Sequence, residues 1–298
     1  MAVGLAVIAP YGDGLITSSG FLRDFAGTIE ACGVDSVWTV EHVIVADGYD
    51  PKYPYSKDGR MPTAAGVVPM PDPLELLAFF AALTTRVRLG TAVVVAPLHR
   101  PAVLAKRAAT IDRLSDGRFM LGLGIGWQRE EYAAVGAAFS ERGARLEESI
   151  AAMRVLWADS PATFEGRFTS FRAVHSEPHP IGGTVPVVLG GNSDAAVMRA
   201  GRIADGWFPY AISADEFEQQ ALVFRAATVD AGRAEAPAIT VWPGSFDPSR
   251  ERDVGWVRRY VDAGASLLAV RLPIRTPADL ATVPDFLAGY RDDVLAHL

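Results

Sequence analysis

Short apolar, β-branched runs alternate with amphipathic stretches along almost the whole chain. The clearest case is Leu89–Val95 (LGTAVVV), which reads as a strand buried on both faces. Pro97 and Pro101 end it and allow a helix to start. Leu104, Ala108, Ile111 and Leu114 then fall on one helical face. Ser115-Asp116-Gly117 is a turn, and Arg118–Leu123 is a second apolar run that exits through Gly122, Gly124 and Gly126 to Trp127. This is a βαβ unit whose exit is bare backbone, suited to form part of a floor for a flat aromatic cofactor.

The same rhythm runs on either side. Ala2–Ala9 reads as strand 1, followed by a turn-rich Pro10–Gly14 loop and a helix capped by Ser18 or Ser19 that ends before Gly33. Ser36–Val40 is strand 2, with Glu41-His42 at its C-terminal end. The stretch 47–72 is rich in Gly, Pro, Tyr and charge, too long for an ordinary βα loop. Pro73 opens a helix to about Leu83. After Trp127 a helix carries Glu130 and Glu131 in its first turn, where carboxylates suit the helix dipole. Glu141–Trp157 is a longer helix. Thr163–Phe171 reads as a hairpin around Glu165-Gly166, inside an insertion that reaches Thr184. Val185–Leu189, Gly206–Pro209, Ala238–Trp242 and Leu267–Leu272 are the remaining strands, with helices over 194–204, 213–231, 250–263 and 277–295.

Strands followed by helices imply a parallel sheet with right-handed crossovers. The count of eight strands implies a closed (β/α)8 TIM barrel, with insertions after strand 2 and between strands 4 and 5. The alternative is a doubly wound open sheet. Its G-x-G-x-x-G signature is missing, because Trp127 stands where the third glycine belongs. One barrel domain over residues 1–298 is therefore expected.

Composition narrows the chemistry. A net charge of -7 argues against nucleic acid as a partner. The single cysteine, Cys32, excludes an intrachain disulfide and a cysteine metal cluster. No apolar run is long enough for a membrane span, and the N-terminus lacks the pattern of a signal peptide, so a cytoplasmic location is expected. Lysine occurs only at Lys52, Lys57 and Lys106.

Active sites of such barrels lie at the C-terminal strand ends. Here those ends are glycine, aromatic and aliphatic, with no lysine for a Schiff base and Glu41 as their one carboxylate. Such a mouth suits a large planar ligand that carries the chemistry. His42 is the candidate for proton exchange, with Glu41 accepting from the ligand or orienting a neighbour; alternatively the histidine only caps the strand. Gly190-Gly191-Asn192-Ser193 leads into a helix N-terminus suited to a phosphate, or is simply a tight turn. His175 and His179 have metal-pair spacing, but Pro178 and Pro180 rule out a regular helix, and they read as loop; His99 reads as structural. There is no G-x-S-x-G elbow and no P-loop.

Taken in order, Glu41-His42, YPYSKDGR (53–60), DPLELLAFFAALTTRVRLGTAV (72–93), the 99–136 stretch, RLEESIAAMRVLW (145–157), FEGRF (164–168) and VPVVLGGNSDAAVMRAGRIADGW (185–207) resemble the luciferase-like monooxygenase superfamily. The resemblance is strongest to its actinobacterial F420-dependent oxidoreductases and covers about two-thirds of the chain. It implies a hydride-transferring enzyme that uses deazaflavin F420, with FMN-dependent monooxygenation, or cofactor binding without turnover, as alternatives. It implies a catalytic role for His42 and a ring bordered by Glu41. It also implies a non-prolyl cis peptide at Ala92-Val93, after Thr91, behind the ring. The cofactor phosphate would lie against the glycine loops at Gly124, Gly126 and Gly190, Gly191, Asn192, Ser193. Trp127 stands where the F420-dependent sugar-phosphate dehydrogenases of the superfamily carry a glutamate, which argues against that substrate. No metal is implied, and a homodimer acting on a small-molecule substrate is expected.

Overall fold

The structure is a computed structural model that describes residues 3–61, 69–234 and 237–298. Strands β1 (Gly4–Ile8), β2 (Ser36–Thr39), β3 (Arg88–Thr91), β4 (Val94–Val95) and β5 (Phe119–Gly124) form the first half of a parallel sheet. The antiparallel hairpin β6 (Ala162–Glu165) and β7 (Ser170–Val174) is an excursion, as the sequence implied. The sheet resumes with β8 (Val187–Gly190), β9 (Gly206–Phe208), β10 (Ala238–Val241) and β11 (Leu267–Arg271). Closure is explicit: β1 pairs with both β11 and β2, and β3 pairs with both β2 and β5. The open-sheet alternative is excluded by those pairings.

Helices α1 (Ser19–Ala31), α2 (Pro73–Ala81), α3 (Pro101–Leu114), α4 (Arg129–Ala134), α5 (Arg142–Ala158), α6 (Asp194–Ile203), α7 (Ala214–Asp230), α8 (Val254–Asp262) and α9 (Val283–Asp293) accompany the strands. Side chains start several of them. Ser18, Asp72, Ser193, Ser213 and Asp253 each accept a first-turn amide, which satisfies donors that have no partner inside the helix. In α3 the buried face runs through Leu104, Ala108 and Ile111 and then turns to Ser115, leaving Leu114 exposed. The last two helices start later than the sequence implied, each behind a short 3-10 turn at Pro248–Arg250 and Pro277–Thr282.

Two apolar layers result. The larger packs the helices onto the outside of the strands. The smaller fills the barrel with Ala6, Trp38, Met120, Val188, Phe208 and Ala269. Trp38 dominates it, edge-on to Phe208 at 5.0 Å. It fits because Gly90 has no side chain: a Cβ there would lie 2.4 Å from the indole. This plug closes the barrel below and leaves its C-terminal end open.

Among the described residues, no helix is long and apolar enough to cross a membrane. Among them, too, no group of three or more His, Cys, Asp or Glu residues could hold a metal ion. His175 bonds Ser160 (2.8 Å), and His179 sits 3.4 Å from Glu177.

Candidate active site

A cavity of about 1240 Å3 occupies the C-terminal end of the barrel. Most of the residues singled out from sequence converge on it: Glu41, His42, Ala92, Val93, Gly124, Gly126, Trp127, Gly190, Gly191, Asn192 and Ser193. Thr91 does not line it. It is fully buried, and its hydroxyl both donates to the Gly122 carbonyl (2.7 Å) and accepts from the Gly122 amide (2.8 Å), stitching β3 to β5 beneath the floor. The residue expected beside a ligand is thus a sheet staple.

The run expected to be one continuous strand is broken between β3 and β4, where the Ala92-Val93 peptide is cis, as the resemblance implied. The break explains the glycines better than ligand approach does. Val93 projects between Gly124 and Gly190, where a Cβ would lie 2.6 and 2.9 Å from its methyl groups. A Cβ on Gly126 would lie 2.7 Å from Val95, and one on Gly122 would lie 1.5 Å from the Thr91 carbonyl oxygen. The bare exit of β5 is therefore first a socket for β3 and β4, and the ligand floor is made with Val93.

Glu41 has both oxygens engaged. One accepts the Val95 amide at 2.7 Å and the other lies 2.8 Å from His99 Nε2. It orients its neighbours, and His99 is its partner. His42 follows on the chain and turns the other way, with Nδ1 3.2 Å from Glu131 Oε2. Glu131 is 1% exposed, and its Oε1 also accepts the amides of Val43 (2.7 Å) and Ile44 (3.4 Å). Glu130 accepts the Asp50 amide at 3.2 Å. The two carboxylates assigned to the helix dipole instead tie α4 to the segment after β2. That long-range role leaves no mark in local sequence; only the buried glutamate, next to Tyr132 on an otherwise ordinary helix start, hints at it.

The tethered segment covers the mouth with aromatic rings, although 62–68 of the long loop lie outside the described residues. Trp127 meets Tyr49 at 5.0 Å, Tyr53 at 5.4 Å and His42 at 6.1 Å, each edge to face. Tyr55 meets Tyr53 at 5.4 Å and Tyr210 at 5.0 Å, and Tyr210 meets Trp242 at 5.9 Å. Burial raises the ionisation of Tyr53, Tyr55 and Tyr210 above the usual phenol range, so their hydroxyls are neutral donors at physiological pH. Asn192 is committed here as well: its side chain donates to the Tyr210 carbonyl (2.7 Å) and accepts from the Tyr210 amide (3.3 Å).

Another part of the lining is basic. Ser193 caps α6, and Gly191 with φ of +105° turns the chain into that cap. Arg142 and Arg199 line the cavity nearby. Arg199 is anchored to Glu147 at 2.8 Å. Arg142 lies 3.6 Å over the Phe139 ring and donates to the Phe139 carbonyl, while its Nε is buried without a partner among the described residues. Neither arginine stood out in the sequence, where both sit in ordinary amphipathic helices.

The sequence model of the luciferase-like monooxygenase family matches residues 5–265. The chain belongs to that family. It is therefore built on an oxidoreductase and monooxygenase scaffold. Its relatives include an uncharacterised protein of Mycobacterium tuberculosis, 31% identical over 288 residues, covering 95% of this chain and 97% of the relative. They also include an F420-dependent glucose-6-phosphate dehydrogenase of Kineococcus radiotolerans, 35% identical over 195 residues, covering 63% of this chain and 51% of the relative. Among solved structures, the coenzyme F420-dependent tetrahydromethanopterin reductase of Methanopyrus kandleri superposes with a TM-score of 0.72 at 14% identity, covering 100% and 99% of the two chains. A monooxygenase of Streptomyces bottropensis does so at 0.75 and 22% identity, covering 99% of each. At those identities the structural likeness establishes the barrel.

Proposed function

We propose that this protein is an F420-dependent oxidoreductase acting on a small organic substrate. The observation that carries the reading is one cavity that brings together the His42 imidazole, bonded to the chain among the described residues only through Nδ1, and the Arg142 and Arg199 side chains beside the cap of α6. Between them the floor is apolar, made by Ile8, Ala92, Val93 and Leu189. A planar ring fits that floor, and its phosphate-bearing chain fits the cap of α6 with Arg142 and Arg199. The relatives named as F420-dependent favour the deazaflavin over FMN.

When bound, the deazaflavin supplies hydride exchange. The chain supplies the rest. Arg142, Arg199 and Ser193 hold the anionic chain. Glu41 fixes β4, just past the break, by holding the Val95 amide. Tyr53 and Tyr55 with Trp127 line the substrate space with rings and screen it from water, and Tyr49 packs against Trp127. His42 holds or releases the proton that accompanies hydride transfer. Trp127 in place of a carboxylate argues for an uncharged aromatic or aliphatic substrate over a sugar phosphate.

The test is turnover of candidate alcohols and carbonyls with F420, followed by deazaflavin absorbance. His42→Ala is expected to lower kcat by roughly 100-fold or more while F420 still binds. Turnover only with FMN and oxygen would replace this reading with a flavin monooxygenase. F420 binding without turnover across such a panel would favour a carrier role.

A further inference from the structure

We infer that Glu131 is a positioning residue that fixes the tautomer of His42, holding the hydrogen on Nδ1 and leaving the Nε2 lone pair to face the cavity. The inference rests on the proposed proton-exchanging role of His42. Three groups converge on the Glu131 carboxylate: the amides of Val43 and Ile44 on Oε1, and His42 Nδ1 on Oε2. Two of the three are obligatory donors. The carboxylate is 1% exposed, so water does not compete for its oxygens. As a carboxylate it only accepts, and the shared geometry is satisfied in full when Nδ1 donates. Nε2 then carries no hydrogen, and among the described residues nothing in the chain bonds it, although His42 lines the cavity.

The consequence is directional. A neutral His42 with a bare Nε2 is a proton acceptor, ready for a substrate hydroxyl whose carbon gives up hydride to F420. The hydroxyl proton passes to Nε2, the C–H electron pair leaves as hydride, and a carbonyl remains. The imidazolium so formed keeps its Nδ1–H against Glu131, so its charge is paired inside the protein. The return reaction uses the same proton in reverse.

Glutamine is nearly the same size as glutamate but cannot satisfy this arrangement. If its oxygen stays on the Val43 and Ile44 amides, its NH2 group faces Nδ1. Nδ1 must then accept, and the hydrogen moves to Nε2. The experiment is long-range proton–nitrogen NMR of histidine-labelled apo-protein at about pH 8, above the ordinary imidazole range near 6.5. His42 is assigned from the signal missing in His42→Ala. The wild type is expected to show the Nδ1–H tautomer, and Glu131→Gln the Nε2–H tautomer. An Nε2–H signal in the wild type overturns the inference, and that spectrum decides even if Glu131→Gln does not fold. A folded Glu131→Gln that keeps the wild-type tautomer also overturns it. The readout needs no cofactor: inversion of the tautomer in a protein that fails to bind F420 would uphold Glu131 and sink the proposed function.

Discussion

At the scale of residues, the site divides into groups that hold and groups that are left open. Glu41, Asn192 and Glu131 spend their polar atoms on the chain itself, while His42 Nε2 has no partner among the described residues and Arg142 and Arg199 line the cavity. The tyrosines give this scale its pH dependence. Tyr53, Tyr55 and Tyr210 are raised by burial, so the folded state keeps protons that an unfolded chain releases above about pH 10. Their contribution to stability is complete below that pH and is lost as pH rises beyond it. Near-ultraviolet titration is expected to show fewer tyrosinates in the native protein than in urea at about pH 11. All 8 tyrosines ionising together near the ordinary value in the folded state would contradict the covered mouth.

At the scale of elements, the break between β3 and β4 and the glycine exit of β5 are one interlocked feature. Gly124→Ala sets a Cβ 2.6 Å from Val93 and is expected to cost ~1–3 kcal/mol by overpacking. Val93→Ala in the same chain is expected to recover part of that loss, giving a coupling of roughly 0.5–3 kcal/mol in urea unfolding. Penalties that simply add would show that the glycine serves something other than this socket. The eight-unit alternation was legible because each strand is buried on both faces and each helix carries a regular apolar stripe. Glu41-His42 was legible from its place at a strand end, and the break at Ala92-Val93 only from resemblance. The roles of Thr91, Glu131 and Arg142 were not legible, because each depends on a partner distant in sequence: Gly122, the 42–44 segment and the cavity wall. Local pattern reports which face of a helix is buried, not which distant loop its carboxylate will hold.

At the scale of the whole molecule, the barrel carries net charge -7, yet the cavity at its C-terminal end is lined by Lys52, Arg142, Arg199 and Arg271 against Glu41 and Glu216. A cationic pocket in an acidic protein concentrates anionic ligands at the pocket rather than over the surface. We propose that this pocket binds the deazaflavin cofactor through its anionic chain. The most direct measurement is equilibrium titration of the apo-protein with F420 and with FMN, alongside Arg142→Ala. Saturable F420 binding, weaker FMN binding and a loss of about 10- to 100-fold in F420 affinity for the variant are expected. Tight FMN binding with no F420 binding would contradict it.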